Sequence, residues 1–199
     1  MWRAMRNWRR VSVKKERLAA LVLLTGALIG LLAAFVLSVE ALVAAGRSDV
    51  VLSCDINAVL SCSAVASHWS AKLLGFPNSL IGLATLPVVV TIGVALLAGV
   101  KFPRWFMRAA QYGVLAGLLF AGWMFYMSLS VIQVLCPWCL VTDVAMLLMV
   151  YGMTRYNVLS GVVTWPWLRR MVEKQFDTAA LFGLVALGVA LIIGNFGMF

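Results

Sequence analysis

The chemistry of this chain is concentrated in four cysteines, which fall into two groups: Cys54 with Cys62, and Cys136-Pro137-Trp138-Cys139. Paired thiols pass electrons when a thiolate attacks a disulfide sulfur, so thiolate character decides what each can do. In the second group Pro137 suits the first turn of a helix, where its missing N–H costs nothing. Cys136 then stands at the helix N-terminus, where the positive end of the dipole favours a thiolate. Cys139 lies one turn deeper, toward the apolar core. A structural metal site is the rival reading of the CxxC, but zinc takes four ligands whereas a relay needs only pairs. In the first group Ser61 is placed to cap a helix that begins at Cys62. Val65, Trp69 and Leu73 follow at four-residue spacing, as in an amphipathic helix lying on a membrane surface. A static staple between Cys54 and Cys62 competes with the relay.

The elements that must carry these thiols are hydrophobic. Of 199 residues, 64% are hydrophobic and only 12% are charged, where a soluble domain has about a quarter charged. The mean hydropathy is +1.02. The fold class expected is an all-α polytopic membrane protein, read as one membrane domain over 1–199. Apolar windows of about 20 residues place spans at about 18–39, 79–100, 109–132, 137–156 and 178–199, the first free to continue as helix through Glu40 to Ala45. The first run is 22 residues long, more than the roughly 7–15 of a signal-peptide core, and reads as a retained anchor despite the small residues at Ala41–Ala45.

Charge sets the orientation. Of the 16 Lys and Arg, seven lie between Arg3 and Arg17, three between Lys101 and Arg108, and four between Arg155 and Lys174. Only Arg47 and Lys72 fall on the other side of the membrane. The positive-inside rule makes the crowded side cytoplasmic, so the net charge of +9 is a topology signal. It is no nucleic-acid footprint, because the basic residues sit in short juxtamembrane pieces; the bilayer is the partner they imply. Both cysteine groups then face outward, the compartment in which disulfides persist.

Cys54-Asp55-Ile56, Ser61-Cys62-Ser63, Trp69, Phe76-Pro77-Asn78-Ser79 with Gly82, and Cys136-Pro137-Trp138-Cys139 together resemble, in order and spacing, the vitamin K epoxide reductase family. The likeness covers about residues 18–157. The other quinone-linked thiol oxidases, of the DsbB type, carry their two pairs in the reverse order. The resemblance implies a four-helix catalytic bundle around a quinone pocket near the outer surface, capped by the loop helix, with a fifth helix added. It implies that Cys136 and Cys139 form the disulfide beside the quinone, with Cys139 facing the ring. Cys54 and Cys62 become a shuttle pair, Cys54 meeting the external thiol partner and Cys62 passing electrons to Cys136. Asn78 matches a position that hydrogen-bonds a quinone carbonyl, and Trp69 one that lines the pocket.

A helix cap for the second span competes for Asn78. Asp143 departs from the family pattern: four residues after Cys139 on the same helical face, it is either a proton relay to the quinone or a structural hydrogen-bond partner. His68 reads as an interfacial residue. Met124, Met127, Met146 and Met149 read as packing.

The activity implied is that of a bacterial-type thiol:quinone oxidoreductase of this family without a fused thioredoxin-like domain. It would reoxidise a separate extracytoplasmic thioredoxin-fold (DsbA-like) protein and deliver the electrons to menaquinone or ubiquinone. A vitamin K epoxide or quinone reductase in a recycling pathway is one alternative, and a non-enzymatic scaffold with structural disulfides is another.

The orientation has a direct test. After reduction, a membrane-impermeant maleimide added from outside should label all four thiols, Cys139 slowest. Labelling of Cys54 or Cys62 only from the cytoplasmic side would reverse the topology.

Overall fold

The computed structural model describes residues 2–46, 52, 54–57 and 59–197. Seven α-helices are present among them: α1 (Trp2–Gly46), α2 (Cys62–Ser67), α3 (Ser79–Leu97), α4 (Arg104–Met127), α5 (Pro137–Leu159), α6 (Pro166–Glu173) and α7 (Phe176–Phe196). Five of them, α1, α3, α4, α5 and α7, are long and apolar enough to cross a membrane. The all-α, five-span expectation therefore holds. Arg47 and the last two residues expected in the fifth span fall outside the described residues.

The differences in detail have local causes. No glycine or proline interrupts residues 2–25, so the basic stretch continues as the first turns of α1. Pro103 is the N-cap of α4, so that helix starts at Arg104, ahead of the apolar run. The expected loop helix is present but broken in two. His68 has extended backbone (ψ 145°) and its ring accepts from the Ser70 N–H, which ends α2 and starts a 3-10 turn over Trp69–Lys72. Val65 and Trp69 therefore do not share one continuous helical face.

The bundle is built around α1, which lies against α3 and α5, while α4 packs on α5. Without a hydrophobic driving force between helices in lipid, close approach depends on small residues. Ala19, Ala20 and Ala27 of α1 are all fully buried. The tightest point is Gly152 of α5: a Cβ there would lie 2.6 Å from the Leu23 nitrogen and 2.8 Å from the Ala19 carbonyl oxygen. Both neighbours are backbone, so nothing can swing aside.

Polar ties are few and placed toward one end. Asn157, fully buried, donates to the Met107 carbonyl at 3.3 Å and to Gln111 Oε1 at 3.1 Å, and Gln111 donates to the Thr154 hydroxyl at 3.0 Å. These bonds hold α4 to α5. The fifth span is peripheral: α7 meets α5 through Arg155, which pairs with Asp177 at 3.3 Å and donates to the Thr178 hydroxyl at 3.0 Å.

Glycine substitutions separate this contact from simple helix propensity. Gly152→Ala should destabilise by about 1–3 kcal/mol, the usual cost of forcing an extra methyl into a packed core. Gly183→Ala, whose Cβ meets nothing within 4 Å, should be neutral or slightly stabilising. Denaturant unfolding in detergent reads both; equal effects would remove the helix contact as the reason for the glycine.

Candidate functional site

The site begins with the segment before α2. Asp55 organises it: one carboxylate oxygen accepts from the Ser61 hydroxyl at 2.7 Å and the Ser63 N–H at 3.0 Å, and the other accepts from the Leu52 N–H at 3.0 Å. Asn57 Oδ1 accepts from the N–H groups of Val59 and Leu60 at 2.9 and 2.8 Å. Burial acts to raise the Asp55 pKa, but the bonds from Ser63, Ser61 and Leu52 outweigh it and hold the carboxyl at about 2. Ser61 is the N-cap of α2, as expected, its side chain accepting from the Ala64 N–H. Cys62 therefore opens the helix, bonded to Cys54 as a disulfide with Cα atoms 5.6 Å apart.

A second segment delivers the other pair. The end of α4 widens into a π turn, Ser128–Ile132, and Gln133 turns the chain with φ +56°. The Ser128 hydroxyl donates to the Val134 carbonyl across this turn. Two backbone bonds then lock the segments together: Ser61 N–H to the Leu135 carbonyl at 2.9 Å and Leu135 N–H to the Val59 carbonyl at 2.8 Å. Cys62 and Cys136 are the residues immediately after this bridge, and their sulfurs lie 3.2 Å apart.

Cys136 is the N-cap of α5 with Pro137 in the first turn, as expected. Its sulfur accepts the Cys139 N–H at 3.3 Å. The Cys139 side chain, donating to Cys136, holds the Cys136 thiol below its ordinary pKa; burial opposes this, the Cys139 and Trp138 N–H groups assist it, and the charge of Glu40 opposes it. Both thiols of the CxxC are reduced in this structure.

Next to the thiols is a small, partly open cleft of about 20 Å³. Cys136, Cys139 and Asp143 reach it together, so the four-residue step from Cys139 to Asp143 does put both on one wall. The remaining lining is apolar apart from Ser128, with Val65, Met124, Phe125 and Leu140 around it. Asn78 and Trp69 are not among the lining residues. The Asn78 amide donates to the Ser70 carbonyl at 2.6 Å, accepts from the Leu73 N–H at 3.2 Å and lies 3.9 Å from Met124 Sδ. It occupies the N-cap position of α3 without a side-chain capping bond, so it fastens the 3-10 turn over the cleft wall. Trp69 is 60% exposed, with its ring centroid 6.2 Å from that of Trp123. His68 is a capping residue, its Nδ1 2.8 Å from the Ser70 hydroxyl. Met124 lines the cleft, and Met149 is fully buried core.

The arrangement also contains a residue that sequence reasoning missed. Glu40 of α1 is 8% exposed, and its Oε2 lies 2.9 Å from Cys54 Sγ. It carries the same signal as Asp143, an acidic side chain within an apolar helix. Its place near the end of the apolar run makes it resemble an interfacial residue in sequence.

Five apolar helices, with one disulfide and two thiols in a single cluster, define a membrane protein of thiol–disulfide redox chemistry. A model of the vitamin K epoxide reductase family matches residues 21–154, two-thirds of the chain, and the chain belongs to that family. It is thus a multi-pass membrane protein with a redox function. No individually curated protein matches it.

The Asp55 cluster yields a pH prediction. Because the folded carboxyl sits below its ordinary 3.8, its contribution is complete above that value and lost as pH falls through about 2. Hydrogen exchange of the Ser63 and Leu52 amides, corrected for intrinsic rate, should keep its protection from pH 7 to about 4 and lose it on approach to about 2. Asp55→Asn should lose protection at every pH; a variant with full protection would remove the carboxylate from this role.

Proposed function

We propose that the chain is a thiol:quinone oxidoreductase that supports disulfide formation outside the cytoplasm. Electrons pass from the dithiol of a separate thioredoxin-fold protein to Cys54 and Cys62, then to Cys136 and Cys139, and leave to a membrane quinone. The observation that carries this reading is the 3.2 Å contact between Cys62 and Cys136. That is a reacting distance, and a static staple in the loop needs no such neighbour.

The chemistry follows from which sulfur can reach which. A thiolate of the partner opens the external disulfide at Cys54, releasing Cys62. Cys62 attacks Cys136 of the oxidised CxxC, releasing Cys139. The partner's second thiol expels Cys54 from their mixed disulfide and so closes the partner's own disulfide; Cys54 then attacks Cys62 and Cys136 leaves, which restores the external disulfide. The structure has the bonding of this last state: Cys54–Cys62 closed and Cys136 and Cys139 reduced. A leaving thiol departs faster when its pKa is low, and the Cys139 hydrogen bond lowers that of Cys136.

The lining of the cleft suits a quinone head group, which would widen it on binding. Its wall is mainly apolar, and one side carries two thiols and a carboxyl. A bound quinone would accept two electrons and two protons. Val65, Phe125 and Leu140 would exclude water from its ring, and Asp143, beside Cys139, would hold a proton for delivery. Trp69 and Asn78 would act here by covering the cleft through the loop helix; Asn78 could turn to a quinone carbonyl only by giving up its bond to Ser70 or Leu73. Fourteen cationic side chains on the opposite side of the membrane support an outward-facing site. The same geometry serves a vitamin K epoxide or quinone reductase, and assaying epoxide turnover beside oxidation of a dithiol protein separates the two purposes.

Variants divide the relay. Cys139→Ala should abolish quinone reduction while Cys136 still forms a trappable disulfide with Cys62. Cys54→Ala should stop turnover with a protein dithiol yet spare direct reduction of the Cys136–Cys139 pair by a small thiol. Full activity of Cys54→Ala with the protein dithiol would sink the shuttle assignment.

Asp143→Asn keeps the shape of the side chain but removes its exchangeable acid. With quinone saturating, turnover should fall on the order of 10²-fold, with folded yield unchanged. Near-normal turnover would make Asp143 a structural hydrogen-bond partner.

A further inference from the structure

The relay above has one step in which a buried thiol must lose its proton. When Cys54 attacks Cys62, the thiol proton of Cys54 must leave at the moment the new S–S bond forms. Cys54 is 4% exposed and Cys62 2% exposed, so bulk water has little access to that proton. Leu52 and Val65 are buried in the same cluster, and Leu37 and Ala44 pack against it. The one carboxylate whose oxygen is within hydrogen-bonding reach of Cys54 Sγ, among the described residues, is Glu40 at 2.9 Å. Its oxygen and the Cys54 and Cys62 sulfurs all lie within 4.8 Å of one another.

We infer that Glu40 is the general base and acid of the external pair. The inference rests on the reading of Cys54 and Cys62 as a cycling shuttle. In the closing step the Glu40 carboxylate takes the Cys54 proton, the Cys54–Cys62 bond forms, the Cys62–Cys136 bond breaks, and Cys136 departs as the thiolate. The electron pair of the broken bond leaves on Cys136, and no outside oxidant is consumed. In the opening step the same carboxylic acid returns its proton to Cys54 as Cys54 is expelled from its mixed disulfide with the partner. Both steps pass the proton over the one short O···S contact.

The position of Glu40 suits this use. It is held on α1, which packs against α3 and α5, whereas Cys54 lies outside any helix, before α2. Among the described residues, four cysteines face it from other elements: Cys54 from the loop, Cys62 from α2, and Cys136 and Cys139 from the start of α5. Asp55, next to Cys54 in sequence, is turned away toward Ser61, Ser63 and Leu52 and so is not a competing base. Arg47, farther along the chain, lies outside the described residues.

The test isolates the external pair in the full-length chain carrying Cys136→Ala and Cys139→Ala. The reduced protein is mixed with glutathione disulfide, quenched with acid at intervals, and the closed Cys54–Cys62 pair is counted by mass spectrometry from pH 6 to pH 10. With Glu40 present, closure should vary little with pH. Glu40→Gln should close the pair on the order of 10²-fold more slowly at pH 7, and the deficit should shrink as pH passes about 8.5, where a thiol ionises unaided. A Gln variant with the pH profile of its parent, at the same rate or uniformly slower, overturns the base. Closure in the unsubstituted chain should also be slower in heavy water, and an equal rate overturns the base without needing any variant. A parent pair that cannot be opened and closed at all overturns the shuttle reading, and the base with it; a parent that cycles beside an indifferent Gln variant overturns the base alone.

Discussion

The site depends on a two-bond backbone bridge. Ser61 and Leu135 come from segments 74 residues apart, yet the bonds between residues 59–61 and 135 set the two chains side by side. Each cysteine that must meet the other lies one residue beyond the bridge, Cys62 at the start of α2 and Cys136 at the cap of α5. Backbone bonds in a buried position are strongly held, because breaking them leaves polar groups with no water to replace the partner. The 3.2 Å sulfur contact is thus a consequence of main-chain geometry, and the side chains in the cluster are free to change redox state around it.

The rest of the fold can be understood as support for that bridge. Asp55 and Asn57 tie the loop into a shape in which residues 59–61 lie flat against the connector. The π turn and the left-handed Gln133 give the connector its direction. Pro137 starts α5 at a fixed point, and α5 is in turn pressed against α1 through Gly152. A loosening at the helix contact would be felt at the thiols, because α1 also carries Glu40 and α5 carries Cys136 and Cys139.

Electrostatics in this site are balanced between opposed demands. In the proposed relay Cys136 leaves as a thiolate, and the hydrogen bond from Cys139 favours that; Glu40, two sulfurs away, opposes it with its charge. If Glu40 takes up a proton at the moment Cys136 departs, the opposing charge vanishes when it matters. The two acidic side chains of the site then have separate duties: Glu40 manages a proton at the external pair, and Asp143 stands beside the inner one at the cleft.

Much of this was legible in the sequence. Apolar length set the five spans, since a helix in lipid must satisfy its own backbone. The distribution of Lys and Arg supplied an expected direction for them. The CxxC with its proline specified a thiol at a helix cap, and Ser61 specified the start of α2, because caps are local chemistry. Tertiary structure decided what local pattern could not. Periodicity predicted one surface helix from Val65 to Leu73, but the His68 ring captured the Ser70 N–H and broke it. Which partners the Asn78 amide takes was likewise invisible locally: it holds the turn around Ser70, and Trp69 beside that turn is largely exposed. Glu40 lies 14 residues from Cys54 on a helix, and no spacing rule joins them. Only the packing of the loop against the end of α1 brings carboxylate and sulfur within reach, because contacts between distant segments are set by the helices that carry them.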